Sequence, residues 1–329
     1  MVCIAVDAMG GDHGPAEILG GVSLFLEACP DAKVQLFGPL DHLLPLIPTR
    51  FEDRIEVMDA PDVIGMGEAP TRAFRTKKKS SIYLGLDAVK SGRADAFMSA
   101  GNTGAVMAFS TLILGRHPRI ERPAIATVLS SKKGAVVMLD MGASVDSKPQ
   151  HLMDFSLLGT AFARAVLGIA NPRVGLLNIG EEPEKGGVVE QATFALMSEA
   201  GAHYTFVGNV EGRHIFEGMA DVVVCDGFVG NNLLKFGEGI ASLFFDFFRV
   251  EAKASLRSLI GAWLLKPAIK TFYRRYDYSE YGGAPLLGVN GVSVIAHGKS
   301  QSYTIKNALL QAYKAVNGRL IEKMESALS

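Results

Sequence analysis

The feature that most constrains this fold is the regular alternation of short apolar runs with longer stretches of helical length. The pattern predicts strands at residues 3–7, 33–37, 55–58, 94–99, 124–129, 136–140, 173–177, 204–207, 222–226 and 292–297. It predicts helices at residues 15–28, 82–91, 103–114, 150–167, 188–200, 232–253 and 300–327. This order indicates an α/β fold with a mainly parallel sheet and helices on both faces.

The length of the chain suits one large domain. Its 329 residues are 48% hydrophobic, which is enough for a sizeable core. We find no fixed-period repeat and no low-complexity linker, so we expect a single α/β domain over residues 1–329. Residues 232–278 are unusually rich in Phe, Leu and basic residues, and we interpret them as a long helical excursion from that domain.

Charge and cysteine usage exclude several classes of protein. The formal net charge of −1 argues against a general nucleic-acid binder, which needs a basic excess. The three cysteines include no C-x-x-C pair, so a disulfide framework or zinc site is not expected. The chain enters a strand at once, without the basic region of a signal peptide, and no apolar run is long enough to span a bilayer. We therefore expect a cytoplasmic protein.

Glycines cluster where predicted strands end, which is where open α/β sheets bind ligands. The first cluster, residues 7–15, contains Gly10 and Gly11, whose backbone N–H groups can approach an anion, followed by Asp12 and His13. It fits neither a Walker A loop nor G-x-G-x-x-G, so a nucleotide is not indicated. An ordinary turn with a capping Asp explains this cluster about as well.

Four further clusters follow, at residues 99–104, 178–187, 226–232 and 281–288. Lys185 lies among glycines and can place a positive charge on phosphate, and Asn231 can polarise a carbonyl oxygen. His13 can orient phosphate or carry a proton. Each residue also has a plainer interpretation, since Ser99 or Asn102 can cap a helix and lysines are usually solvated.

The candidate catalytic residues are therefore Lys185, Asn231 and His13. The candidate phosphate- and substrate-binding residues from the clusters are Gly10, Gly11, Asp12, Ser99, Gly101, Asn102, Thr103, Gly180, Asp226 and Gly230. No G-x-S-x-G elbow is present and the seven histidines are scattered, so we predict neither a covalent nucleophile nor a metal or other cofactor.

At these clusters the chain resembles the bacterial acyl-[acyl carrier protein]:phosphate acyltransferases of the PlsX type. The resemblance covers essentially the whole chain. It rests on residues 6–15, 77–81, 99–105, 177–182, 208–212, 226–231 and 281–288, in the family's order. One departure is Ser144, where the family pattern leads us to expect Asn.

The resemblance implies a three-layer α/β/α fold like that of isocitrate and isopropylmalate dehydrogenases and of phosphotransacetylase. It implies a homodimer built partly through long helices, and it adds Asn209 to the substrate-binding candidates. The implied reaction moves a long-chain fatty acyl group from acyl carrier protein to orthophosphate. A membrane acyltransferase would then use the acyl phosphate for phospholipid synthesis.

Two surfaces are candidates for partners. Acyl carrier proteins are acidic, so the basic run Arg72, Arg75, Lys77, Lys78 and Lys79 is a candidate docking surface, although a solvated basic face explains it about as well. Residues 255–276 combine the apolar Leu259, Trp263 and Leu264 with basic residues, as in an interfacial membrane helix. The basic residues of that segment are Arg257, Lys266, Lys270, Arg274 and Arg275. A dimer-packing helix is an equal alternative, and we expect Pro267 to break or kink the segment.

Three rival functions stay open from the sequence. A phosphotransacetylase-like enzyme would use a short acyl-CoA instead of an acylated carrier protein. A nicotinamide-dependent dehydrogenase of the same fold class would need a nucleotide fingerprint and metal-binding carboxylates, which we do not find. A non-catalytic scaffold for lipid-synthesis partners would have no need of five polar glycine turns.

Overall fold

The computed structural model describes residues 1–201, 203–276 and 281–329. Along these residues, most strands are separated from the next strand by a helix. The strands are β1 (Val2–Asp7), β2 (Ala32–Gly38), β3 (Ile55–Asp59), β4 (Ala96–Ser99), β5 (Ala124–Ile125), β6 (Thr127–Ser131), β7 (Gly134–Leu139), β8 (Arg173–Leu177), β9 (Thr205–Val210), β10 (Val222–Val224), β11 (Ala284–Leu287) and β12 (Val292–Ile295). The helices are α1 (Gly14–Ala28), α2 (Leu40–Leu43), α3 (Pro70–Thr76), α4 (Ser81–Lys90), α5 (Thr103–Ile113), α6 (Pro149–Phe162), α7 (Val188–Glu199), α8 (Gly212–Ile215), α9 (Gly227–Glu251), α10 (Leu256–Tyr276), α11 (Ser302–Asn317) and α12 (Leu320–Leu328).

The strands form two sheets, a division that the sequence pattern did not show. The first has the order β3-β2-β1-β4-β12-β11-β5, and the second has the order β6-β7-β10-β8-β9. Most neighbours are parallel; the exceptions are β11, which is antiparallel to both of its neighbours, and β6, which is antiparallel to β7. The predicted α/β class with mainly parallel strands is confirmed.

Helices cover both faces of the first sheet. Successive side chains of each strand point to opposite faces and pack against the helices on each side. On β1, Ile4 and Val6 join one buried apolar cluster with Phe25 of α1. Ala5, between them, joins a second cluster with Phe109 of α5. Both faces of β1 are thus buried in apolar layers, which explains why its sequence is nearly all apolar.

Several predicted boundaries were wrong. The single strand expected at 124–129 is two strands, because the chain passes from one sheet to the other at Ala126. The helix expected at 300–327 is interrupted at Arg319, which adopts a left-handed conformation with φ 55°. Pro267 does not break α10, which continues through it. The predicted turn at 281–288 contains β11, and α3 was not predicted.

Candidate active site

The carboxyl ends of strands from both sheets come together where β5 of the first sheet meets β7 of the second. β5 runs parallel to β12 and β4, because both β5 and β12 are antiparallel to β11. β6 begins two residues after β5 ends and is antiparallel to β7, so its start lies beside the carboxyl end of β7. Ile125 confirms this contact, because its N–H donates to Asp140 Oδ1 at 3.0 Å and its carbonyl accepts from Met141 N at 3.0 Å.

A first group of candidate residues lies at the ends of β1 and β4. Gly10 and Gly101 touch through their backbones, since a Cβ on Gly10 would lie 2.5 Å from the Gly101 nitrogen. The hydroxyl of Ser99 donates to Asp7 Oδ2 at 2.6 Å and accepts from the Gly101 N–H at 2.9 Å. Ser99 and Asp7 are both fully buried, so Ser99 holds the two loops together and is not exposed to a ligand.

Asn102 has the capping role that was the plainer of its two interpretations. Its Oδ1 accepts from Ala105 N at 3.0 Å at the start of α5. Its Nδ2 donates to the carbonyls of Gly65, Met66 and Glu68 at 3.2, 2.9 and 2.9 Å. The side-chain amide thus fastens the loop before α3, and its polar atoms are occupied within the protein.

The remaining members of this group are more open. Asp12, His13 and Thr103 are exposed, while Gly11 is half-buried. The Asp12 N–H donates to the carbonyl of Gly298 at 2.7 Å, which joins this loop to the segment after β12. His13 is the residue before α1 and its side chain does not cap the helix. Its imidazole is therefore accessible at the carboxyl edge of the sheet.

A second group lies where β7 and β10 end, around the start of α9. Asn231 was expected in a turn before the helix, but α9 begins at Gly227, so Asn231 is its fifth residue. A Cβ on Gly142 would lie 3.2 Å from Asn231 Cβ, which places Asn231 against the loop after β7. Within the described part of the chain, no hydrogen bond involves the half-buried Asn231 amide.

Asp226 caps α9 and accepts hydrogen bonds from N–H groups of its first turn. Its Oδ1 accepts from Phe228 N at 2.8 Å, its Oδ2 accepts from Ser147 N at 2.9 Å, and its carbonyl accepts from Gly230 N. Burial alone would raise the pKa of this carboxyl, but the hydrogen bonds from Ser147, Phe228 and Val229 outweigh burial and lower it. Asp226 therefore remains ionised as a cap, and the Asn231 side chain is left as the available donor.

Asp7 and Asp140 were not singled out from the sequence as site residues. Burial raises the pKa of Asp7, against hydrogen bonds from Ser81 and Ser99. Burial also raises the pKa of Asp140, against bonds from residues 125, 143 and 144. The signal that could have identified both is an acid that directly ends an apolar strand, where only a structural or chemical role explains a carboxylate.

The unexpected Ser144 is part of this network. Its hydroxyl donates to Asp140 Oδ2 at 2.7 Å, and its N–H donates to the same oxygen at 2.8 Å. The serine thus contributes two donors to one buried carboxylate.

A third group surrounds Lys185, between β8 and α7. Lys185 is exposed, and no ion pair of the described residues involves it. Gly180 is buried beneath it, since a Cβ there would lie 2.9 Å from Lys185 Cγ. Asn209, at the end of β9, is 2% exposed and has both ends of its amide bonded within the protein. Asn209 therefore contacts the loop that carries Lys185.

The three groups are neighbours along the carboxyl edges but are not joined by hydrogen bonds or ion pairs among the residues described. Two strands separate β4 from β5, so three strand spacings place the end of β4 about 14 Å from the end of β5, which contacts the loop after β7. A site made from all three groups therefore has to hold substrates that extend along this edge.

The basic run begins beside the first group. Pro70 of α3 adjoins the start of α5, because a Cβ on Gly104 would lie 3.1 Å from Pro70 Cγ. Lys77 is half-buried, and its Nζ lies 2.6 Å from Glu68 Oε2. The exposed cations of the run are Arg72, Arg75, Lys78 and Lys79. These four, without Lys77, form the open basic surface.

The helices α9 and α10 carry a large exposed apolar surface. The exposed apolar residues of α9 are Phe228, Val229, Phe236, Ile240, Leu243, Phe244, Phe247 and Val250. Those of α10 are Leu256, Leu259, Ile260, Trp263, Leu264 and Leu265, with Trp263 71% exposed. The side chains of Lys270, Arg274 and Arg275, and residues 277 and 278 of the predicted excursion, lie outside the described residues.

Two kinds of feature are absent from the described residues. No group of three His, Cys, Asp or Glu side chains there could hold a metal ion. No helix in that part of the chain combines the length and the apolar character that crossing a bilayer requires.

Comparison with known proteins places the chain in a family. It matches the family model described as fatty acid synthesis protein over residues 2–323. A phosphate acyltransferase of Halothermothrix orenii is 47% identical over 320 residues, covering 97% of this chain and 96% of that protein. A phosphate acyltransferase of Heliobacterium modesticaldum is 48% identical over 327 residues, covering 98% of this chain and 96% of that protein.

Among solved structures, a phosphotransacetylase from Streptococcus pyogenes has a similar fold. The TM-score is 0.63 at 15% identity, over 98% of this chain and 94% of that one. At this identity the likeness concerns the fold alone, and it agrees with the phosphotransacetylase-like fold that the sequence resemblance implied. With a family model matched from near one end to the other and relatives almost half identical, the chain belongs to the fatty acid synthesis protein family.

Proposed function

We propose that this chain is a phosphate acyltransferase that moves a fatty acyl group from acyl carrier protein to orthophosphate. The observation that carries the proposal is full-length identity of 47–48% to two phosphate acyltransferases. The site supports it, because an exposed lysine, an unbonded amide side chain and glycine loops lie at the carboxyl edges of the sheets. These groups suit an inorganic anion beside a reactive carbonyl.

The reaction needs no redox step and no metal. An oxygen of hydrogenphosphate attacks the thioester carbonyl carbon, and a tetrahedral oxyanion forms. The carbon–sulfur bond then breaks, the acyl group stays on the phosphate oxygen, and the proton of hydrogenphosphate ends on the carrier thiol. Because the nucleophile is already an anion, positioning and charge stabilisation are the main contributions required of the protein.

We assign phosphate to Lys185 and the oxyanion to Asn231. Lys185 is the sole cation of the 178–187 loop, which also carries Glu181, Glu182 and Glu184. We choose the Asn231 side-chain amide because Asp226 already accepts from the backbone N–H groups of Phe228 and Gly230. His13 is exposed at the end of β1 and is a weaker candidate, for orienting phosphate.

Lys185→Ala tests the assignment of the phosphate site. We expect the KM for phosphate to rise more than tenfold, because three carboxylates in the loop then repel the anion without a cation to oppose them. The melting temperature should barely change, since Lys185 is exposed. Acyl phosphate formation from palmitoyl-carrier protein would be measured by mass spectrometry, with Lys33→Ala, an exposed lysine near the start of β2, as the control. Wild-type phosphate use by Lys185→Ala would remove this residue from the site.

The acyl donor separates the proposal from the short-chain alternative. Purified protein would be given phosphate with either palmitoyl-carrier protein or acetyl-CoA. Acyl phosphate from the carrier substrate alone supports the proposal, and turnover of acetyl-CoA alone supports a phosphotransacetylase. Absence of thioester-dependent phosphate consumption with both donors would favour the scaffold.

The basic surface beside α3 is our proposed docking site for the acidic carrier protein. Arg72 and Lys78 are exposed, and α3 adjoins the start of α5 at the first group. Changing both to Glu should raise the KM for acyl-carrier protein about tenfold and leave the KM for phosphate unchanged, because charge pairs steer association. The control is Lys132→Glu with Lys133→Glu, in the exposed turn between β6 and β7. An unaltered KM for the carrier in the α3 variant would move docking elsewhere.

Assembly and location are proposals as well. We propose a homodimer packed through α9 and α10, whose exposed apolar residues need a partner. Helix ends that emerge from such a dimer would contact lipid, giving a cytoplasmic protein that associates peripherally with the membrane. Its acyl phosphate product would then pass to a membrane acyltransferase in phospholipid synthesis.

A further inference from the structure

The loop that carries Lys185 is held by two asparagine side chains. Asn178 follows β8 directly, and its Nδ2 donates to the carbonyl of Lys185 at 3.1 Å and to Asn209 Oδ1 at 3.0 Å. Asn209 Nδ2 donates to the carbonyl of Glu182 at 2.7 Å. The same Glu182 carbonyl accepts from Lys185 N at 3.1 Å. The two amides thus bond the loop on both sides of its lysine.

Neither amide is arranged to meet a substrate. Asn209 is 2% exposed, and its acceptor and donor are both used within the protein. Asn178 uses its Oδ1 as well, which accepts from Ile179 N at 2.8 Å. These bonds connect the ends of β8 and β9 to the loop, so they transmit the position of the sheet to Lys185.

The lysine side chain is guided by Gly180. A Cβ on Gly180 would lie 2.9 Å from Lys185 Cγ and 3.2 Å from its Cε, so the stem of Lys185 lies across this glycine. The third of the nearest atoms is a carboxylate oxygen of Glu182, at 3.0 Å. Both neighbours are flexible side chains, so an alanine there displaces the lysine without forcing the backbone to move.

We propose that Asn178 and Asn209 are positioning residues, which hold the Lys185 ammonium where phosphate binds. The inference rests on the proposed function, because it assigns phosphate to Lys185. It replaces the expectation that Asn209 contacts substrate. An ångström of displacement is costly in such a site, since catalysis by orientation depends on a fixed geometry.

The test compares Asn178→Ala and Asn209→Ala with Asn290→Ala. Asn290 also donates one side-chain bond to a carbonyl, that of Arg116 at 3.1 Å, but it lies in an exposed turn of the first sheet. We expect the KM for phosphate to rise about tenfold in the two test variants, because the ammonium group loses its orientation. The KM for acyl-carrier protein should stay unchanged in these variants, and both KM values should stay unchanged in the control. The reactivity of Lys185 toward an amine-labelling reagent, followed by peptide mass spectrometry, should rise in the test variants.

Gly180→Ala keeps the inference testable if the asparagine variants unfold. It should keep the wild-type melting temperature and yet raise the KM for phosphate, because the stem of Lys185 alone has to move. A wild-type KM for phosphate in folded variants overturns the inference, whatever the labelling shows. Failure of the proposed function is separate, since it appears as absence of acyl phosphate formation by the wild-type protein, while the labelling still reports whether the amides fix the loop.

Discussion

At the scale of single residues, the carboxylate of Asp140 organises the start of α9. Its Oδ1 accepts from the N–H groups of Ile125, Gly142 and Ala143, at 3.0, 3.2 and 3.0 Å. The backbone carbonyl of the same residue is covered by Gly230, where an added Cβ would collide with it. A buried carboxylate with several donors is stable only while all of them stay in place.

Gly230 and Gly237 give a matched pair of helix glycines. Gly230→Ala should destabilise the protein by about 1–3 kcal/mol, because the added methyl meets the Asp140 carbonyl and the loop has to shift. Gly237→Ala, also in α9 but with open space around it, should be stabilising by about 0.5–1 kcal/mol through helix propensity. Urea unfolding of both variants measures the difference. Equal effects would show that Gly230 is not in close contact.

Residue types at the site were predictable from the sequence, whereas their partners were not. Lys185 is exposed at a strand end, as the glycine cluster around it suggested. Ser99 and Asn102 are bonded inside the protein, and the Ser99 partner, Asp7, is 92 residues away. No local pattern specifies such a pairing, because it arises from the order of strands in the sheet.

At the scale of elements, the second sheet is fastened at the amino ends of its strands by one ion pair. Arg173 starts β8, and Asp221 directly precedes β10. The Arg173 guanidinium meets Asp221 at 2.8 Å and 3.1 Å, and Arg173 N donates to the same carboxylate at 2.9 Å. Burial alone would raise the pKa of Asp221, but its bonds to Arg173 outweigh burial and lower it.

Asp221→Asn should make the protein less stable in a way that depends on pH. Because the folded state lowers the pKa of Asp221, its contribution is present above the ordinary aspartate range and is lost as pH falls through the folded value. We expect the variant to be less stable by about 1–3 kcal/mol near pH 7, since bonds to charged groups are of this size. The difference in unfolding free energy between the wild type and the variant should become smaller below about pH 4. Urea unfolding across pH measures it, with the exposed Asp246→Asn as control, and a gap that is constant with pH would contradict it.

Most elements were predictable from periodicity, and the failures have physical causes. The start of α9 was placed five residues late, because Gly227 and Gly230 read as a turn although close packing on the loop after β7 requires them inside a helix. β11 was missed because its four residues follow two glycines and include a proline. Its pairing with β12 and β5 decides its structure, and that pairing is not local.

At the scale of the whole molecule, the main feature is the exposed apolar surface of α9 and α10. Fourteen large apolar residues are exposed among the described side chains of these two helices. Surfaces of this kind mark contact with another protein or with a membrane. Composition predicted the excursion, but it did not show which of the two covers it.

Replacing Trp263 and Leu264 with Glu should abolish pelleting with phosphatidylglycerol vesicles, because charge then replaces apolar surface on α10. Leu44→Glu with Leu112→Glu is the control, since these residues are 57% and 59% exposed on other surfaces. Sedimentation velocity on both proteins reports the oligomeric state. Undiminished pelleting with loss of the dimer would assign Trp263 and Leu264 to the subunit interface and contradict the lipid contact.

The position of β12 between β4 and β11 also sets an order of events during synthesis. Every strand of the second sheet lies between residues 127 and 224, so we expect that sheet to be able to pair before residues 292–295 are synthesised. In the first sheet, β12 (residues 292–295) joins β4 to β11. Helix α1 packs against α11, which also follows later in the chain. We therefore expect β1 to β4, which precede the second sheet in the chain, to be completed after it, and to expose apolar surface during that interval.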